Sequence, residues 1–157
     1  MVKPAREVPM PELSPSAAST PEPSRYAAVK SEIVAVAQRL TEKGYLMATG
    51  GNLSMRIPNE PRLAITPSNY DYMKMVADDV CVLDWDGTIV EGARTPSVES
   101  GLHAGVYQTR ADVNAIVHTH QVHASAVALL GEPIPALFDE QARFLGRSVE
   151  IIPYGPS

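Results

Sequence analysis

The stretch "VCVLDWDGTIVEG", Val80 to Gly92, constrains this chain most. Two short apolar runs flank Asp86-Gly87, a pair that reverses a strand because glycine accepts the positive φ a tight hairpin needs. A hairpin pairs its strands antiparallel, so the fold must contain antiparallel sheet. "NLSMRI" (Asn52 to Ile57) and "RLAI" (Arg62 to Ile65) read as two earlier strands. Before them, Val29, Ile33, Val36, Ala37 and Leu40 recur at helical spacing and Gly44 ends the run, which predicts an amphipathic helix over about Arg25 to Lys43. After the hairpin, helix and strand alternate. "PSVESGLHAGVYQTR" has helical spacing at Val98, Leu102 and Val106, with Pro96 suited to a first turn. "NAIVHTH" is a β-branched strand that reads as buried, "HASAVALL" a helix closed by Gly131, and "VEIIPY" a last strand. The pattern predicts a mixed α/β or α+β domain with much antiparallel sheet. A strand at the end would leave an open sheet edge.

Residues 1–24 stand apart. Proline at 4, 9, 11, 15, 21 and 23 breaks any helix there and little can be buried, so this stretch is expected to be a disordered tail before a domain at 25–157. The 157 residues suit one domain of ordinary size. A net charge of −5 offers no basic surface to nucleic acid. No apolar run approaches the roughly 20 residues of a membrane span, and the N-terminus lacks a signal-peptide core. The lone Cys81 cannot form an internal disulfide. It reads as a small buried hydrophobe and points to a reducing, cytoplasmic setting.

Three of the four histidines fall within "VHTHQVH". In a strand, residues i and i+2 share a face, so His118 and His120 project together, half of a tetrahedral zinc site. The plain alternative is a pair that only hydrogen-bonds. His123 can be read as a third ligand, a group supporting the ligands, or a helix-start surface residue; the last two fit its position better. Glu99 reads as a first-turn acid favoured by the helix dipole, or as a general acid/base beside a metal. His103 lies one turn on, where it either orients Glu99 or packs. "TGGNLS" and "ITPSN" are turns rich in glycine, amide and hydroxyl. Either can cradle an anion or simply reverse the chain.

Taken in order, "GGNLSMR", "AITPSNYDYMKMVADDVCVLDWDGTIVEG", "PSVESGLHAGVYQTRADVNAIVHTHQVHASAV" and "IPALFDEQARFLG" resemble the class II aldolase/adducin family, from about Tyr26 to Ser157. The resemblance implies a three-layer α/β/α domain around a mostly antiparallel sheet. It implies a zinc-dependent lyase that performs reversible aldol cleavage, or a related decarboxylation or epimerisation, through a zinc-stabilised enediolate of a small sugar-derived hydroxy compound. A homo-oligomer, commonly a tetramer, with sites between subunits is implied too. By the same resemblance His118 and His120 are metal ligands and Glu99 the catalytic carboxylate. Gly51 with Asn52, Thr66 with Ser68, and Ser97 contact the substrate's anionic group. Three departures accompany it. The family's third metal histidine follows the "PY" segment, so the resemblance places it, and the C-terminal part of the domain, past Ser157. Val98 stands where aldolases carry a second serine, and Asn69 where glycine is usual. The competing expectation is a non-catalytic adducin-like interaction domain or an inactive fragment. A scaffold has no chemical need for Glu99, His118 and His120 together.

Overall fold

The computed structural model describes residues 24–153. The expected tail therefore lies, up to residue 23, outside the described residues. The elements are α1 (Ala27–Glu42), β1 (Asn52–Arg56), β2 (Arg62–Ile65), β3 (Cys81–Asp84), β4 (Ile89–Glu91), α2 (Ser100–Thr109), β5 (Ala115–His118), α3 (Val122–Leu129) and α4 (Asp139–Leu145). The strands form one sheet in the order β4-β3-β2-β1-β5, and all its pairings are antiparallel. The β3–β4 hairpin closes as the sequence predicts. Gly87 holds φ +90, its amide donates to the Asp84 carbonyl, and the Asp84 amide donates to Thr88.

Strand alternation divides the core between two helices, giving the three-layer α/β/α arrangement. Leu53, Ala64 and Val82 face α1, where Ile33 and Ala37 are fully buried. Leu63, Ile65, Cys81 and Leu83 face the other way and meet Ala104 and Tyr107 of α2. Each fully buried aliphatic side chain contributes roughly 1.5–3 kcal/mol. Lys30, buried on α1, pairs with Glu91 of β4 at 2.8 Å. Cys81 is a buried thiol, pushed above its ordinary range by burial. Among the described residues, no helix is long and apolar enough to cross a membrane.

Four expectations need correction. β5 is an edge strand rather than a buried one. Among the described residues it pairs with β1 alone, and Val117 on its α1 side is 46% exposed because α1 does not reach over it. "VEIIPY" forms no strand among the described residues. Val149 makes one isolated bridge to Ile134, too little for a ladder. Pro96 does not open α2 but bridges Pro67, so Glu99 sits at the N-cap, not in the first turn. The apolar stripe on α2 faces outward: Val98 is 74% and Leu102 58% exposed, while His103, Ala104 and Tyr107 are buried. The sheet face beneath α2 carries Asn52 and Ser54, which meet Glu99, His103 and Tyr107. The short helix α4, which periodicity did not predict, has no buried residue.

Candidate metal centre and anion cleft

The centre grows out of the match between β1 and α2. Asn52, Ser54 and Arg56 alternate onto one face of β1. Glu99, His103 and Tyr107 recur every four residues along one face of α2. Two strand residues advance about 6.6 Å and four helix residues about 6.0 Å, so the two rows stay in step. Asn52 Nδ2 donates to Glu99 Oε2. Ser54 Oγ lies 2.7 Å from His103 Nδ1 and 2.8 Å from the Tyr107 hydroxyl. Arg56 donates to the Tyr107 carbonyl at 2.6 Å.

β5 adds the histidines to this frame. Its register places His118 opposite Asn52. His118 Nδ1 lies 2.8 Å from Glu99 Oε2, so the carboxylate fixes the ring and leaves Nε2 for a ligand. The strand ends at His118, yet the His120 ring stays beside it, centroids 5.0 Å apart. One ligand atom from each of Glu99, His118 and His120 falls within 4.8 Å of the others. Two imidazoles and a carboxylate are a donor set that suits zinc and related divalent cations. His123 is exposed in the first turn of α3 and does not join the group.

Gly51 makes the close approach possible. It holds φ +82, and a Cβ there would stand 2.5 Å from the His118 carbonyl oxygen and 2.7 Å from Leu46 Cδ2. Tyr72 donates its hydroxyl to the Gly51 carbonyl at 2.6 Å, and burial raises the phenol's pKa.

A cleft of about 130 Å³ opens beside the trio, walled by Gly51, Asn52, Ser68, Ser97, Glu99 and His120. Among the described residues no lysine or arginine lines it, so an anion there would be held by amides and hydroxyls. Ser97 is buried and accepts from the Glu99 amide at 3.3 Å. Thr66 does not reach this cleft. Its hydroxyl is fully buried and accepts from the Leu53 amide at 3.2 Å, fastening the turn to β1. Asn69 takes φ +51, a left-handed conformation that asparagine tolerates, so it fills the place of a glycine. A larger cleft, about 590 Å³, lies on the α3 side and touches His118.

Sequence reasoning missed the Ser54–His103–Tyr107 cluster. Burial lowers the pKa of His103 to about 4, with His118 adding to the effect and Glu99 opposing it. The available signal was the i, i+4, i+8 row of Glu99, His103 and Tyr107, which the apolar row beside it masked.

Residues 31–157 match the family described as "Class II Aldolase and Adducin N-terminal domain". A 5-deoxy-D-ribulose 1-phosphate aldolase of Bacillus thuringiensis is 38% identical over 125 residues, covering 80% of this chain and 58% of that protein. An L-ribulose-5-phosphate 4-epimerase of Salmonella paratyphi C is 36% identical over 109 residues, 69% of this chain and 48% of the relative. A solved L-fuculose 1-phosphate aldolase superposes with a TM-score of 0.67 at 41% identity, covering 70% of this chain and 52% of that one. The chain spans about half the length of the curated relatives it matches.

Proposed function

From its membership of the class II aldolase and adducin family, to which this chain belongs, we propose that it is the part of a divalent-metal-dependent lyase that carries two metal histidines and the acid/base carboxylate. The reaction is reversible aldol cleavage, or the related epimerisation, of a small phosphorylated sugar. The observation that carries this reading is the trio of ligand atoms of Glu99, His118 and His120 within 4.8 Å.

The residues fit zinc: His118 and His120 supply imidazole nitrogens, and the Glu99 carboxylate stands within 4.8 Å of them. A bound zinc ion would supply Lewis-acid stabilisation for negative charge developing on substrate oxygens. The rest belongs to this chain's side chains. Glu99 moves the proton at the reacting carbon, giving it up as the carbon–carbon bond breaks and taking it back in the reverse direction. Asn52 holds the carboxylate in place through Oε2, and no protein donor reaches Oε1 among the described residues. Gly51, Ser68 and Ser97 receive the phosphate in the adjoining cleft, with the Asn52 amide directed to Glu99. Thr66 acts from behind by holding its turn to β1. Sugar phosphates are the substrates named for the relatives, and a cleft with no basic side chain among the described residues can bind phosphate through backbone amides.

The test compares dialysed wild-type chain with a His118→Ala/His120→Ala variant by metal analysis. Zinc should be retained by the first and lost by the second. Equal zinc in both would overturn the ligand assignment. Glu99→Gln, placed in a longer chain of the family that turns over, should keep its fold and lose turnover; near-wild-type turnover would remove Glu99 from the acid/base role.

A further inference from the structure

Hydrogen bonds from one side chain tie together the three elements that meet at the metal centre. Arg56 closes β1. Its Nε donates to the Val113 carbonyl at 3.0 Å, and its Nη2 to the Tyr107 carbonyl at 2.6 Å and the Arg110 carbonyl at 3.0 Å. The Arg56 amide adds a bond to the Asn114 carbonyl at 2.9 Å. The guanidinium also lies over the Tyr107 ring at 4.9 Å and the Trp85 ring at 5.5 Å, which helps to fix the fork. Helix α2 shows why such a group is needed. The last carbonyls of a helix lack intrahelical donors and favour a cation. The last turn of α2 holds no basic residue, and the chain leaves the helix at Arg110. Arg56 supplies that cation from the strand. A planar guanidinium can bridge several carbonyls at once, which an ammonium on a flexible stem does poorly.

Each element that Arg56 ties carries a residue of the centre at its other end. β1 runs from Asn52 to Arg56, α2 from its N-cap Glu99 to Tyr107 and beyond, and β5 with its lead-in from Asn114 to His118. The spans match: four strand residues advance about 13 Å and eight helix residues about 12 Å. Three struts of nearly equal length, fastened at one end, meet at the other. There Asn52 donates to Glu99, and His118 Nδ1 lies 2.8 Å from Glu99 Oε2. We propose that Arg56 is a positioning residue for the metal centre: its guanidinium sets where α2 and β5 lie along β1, and so the approach of Glu99 to His118. The proposal deepens the metal-centre reading and rests on it for its consequence, though not for its geometry.

The first measurement is made on the metal-free wild-type chain. The Arg56 Nε–H proton should exchange with solvent much more slowly than that of free arginine. Exchange as fast as in free arginine would overturn the proposal. The second compares Arg56→Met, which keeps the apolar stem and removes the donors, with Arg56→Lys, which keeps the charge and loses the fork. Circular dichroism checks that each is folded. In Arg56→Met the His118 ring-nitrogen resonances of the metal-free chain should move. Its zinc affinity, read by chelator competition, should fall at least about tenfold, as for lost supporting partners elsewhere. Should Arg56→Met fail to fold, Arg56→Lys is read in its place, with changes of the same direction expected. Ile33→Ala controls for lost stability alone: Ile33 is fully buried on the α1 side of the sheet, away from the clamp. While folded, that control should keep zinc affinity within about twofold of wild type. A folded Arg56→Met with wild-type His118 resonances and zinc affinity would refute the proposal, and so would an equal loss in Ile33→Ala. Loss of the fold in both Arg56 variants would make Arg56 a folding contact and end its positioning role. Should wild type bind no zinc, the functional reading fails, while the His118 resonances of the Arg56 variants still decide this one.

Discussion

Residues 24–107 and residues 108–153 of this chain are built from similar sequence and end in different states. Every buried residue among those described lies between Tyr26 and Tyr107. Beyond Tyr107, apolar side chains are as frequent but none of those described is buried: Leu129 is 89%, Phe144 78% and Ile152 83% exposed. Helices α3 and α4 bury none of their residues. Helices of seven or eight residues are marginal by themselves, so these two lack the packing that stabilises α1. Periodicity tells which elements form. Whether an element is covered depends on what the rest of the fold sets against it. The candidate metal centre straddles the divide, with Glu99 held on the packed side and His118 and His120 on the exposed one.

The largest expected effect separates the two parts directly. Leu63→Ala, at a fully buried position, should cost about 4 kcal/mol of unfolding free energy through lost transfer energy and a residual cavity. Phe144→Ala removes more hydrocarbon from an exposed site and should cost less than about 0.5 kcal/mol. Urea unfolding followed by circular dichroism reads both. Equal losses would show that the second part is buried in solution and would dissolve the contrast.

A somewhat smaller effect belongs to the packed part alone. His103 is neutral and buried, with its pKa lowered to about 4 from the 6.5 of an unfolded histidine. Between these values the unfolded chain binds the extra proton, so stability rises with pH across that window. The contribution is complete above about pH 7. It is lost as pH falls towards 4, to the extent of about 3 kcal/mol. The difference in unfolding free energy between wild type and His103→Gln, with chelator present, should shrink or reverse over that range. A difference independent of pH would show that His103 is reached by protons in the folded chain.

The elements that local pattern controls were legible. The α1 stripe, the alternation of β1 and β2, and the turn at Gly87 follow from spacing and glycine conformation, and each forms at its expected place within a few residues. His118 and His120 were legible as a pair because their spacing is local. What failed depended on three dimensions. A β-branched run reads the same at an edge as in a sheet centre, and β5 is at the edge. An apolar row on α2 predicts its buried face only if the opposing surface is apolar, and here that surface carries Asn52 and Ser54. Thr66 was an anion contact only by the family resemblance; its hydroxyl bonds to the backbone of β1 inside the core. "VEIIPY" has a strand's composition, but one bridge to Ile134 is all the pairing it finds among the described residues.

The central claim, that a well-packed frame brings Glu99 to two histidines from the exposed part to hold a metal ion, is tested most directly by X-ray absorption at the zinc edge on the zinc-loaded chain. The account predicts a first shell of nitrogen and oxygen at about 2.0–2.2 Å. Outer-shell scattering from two imidazoles should accompany it and disappear in His118→Ala/His120→Ala. A spectrum without imidazole scattering, or one unchanged in the double variant, would contradict it.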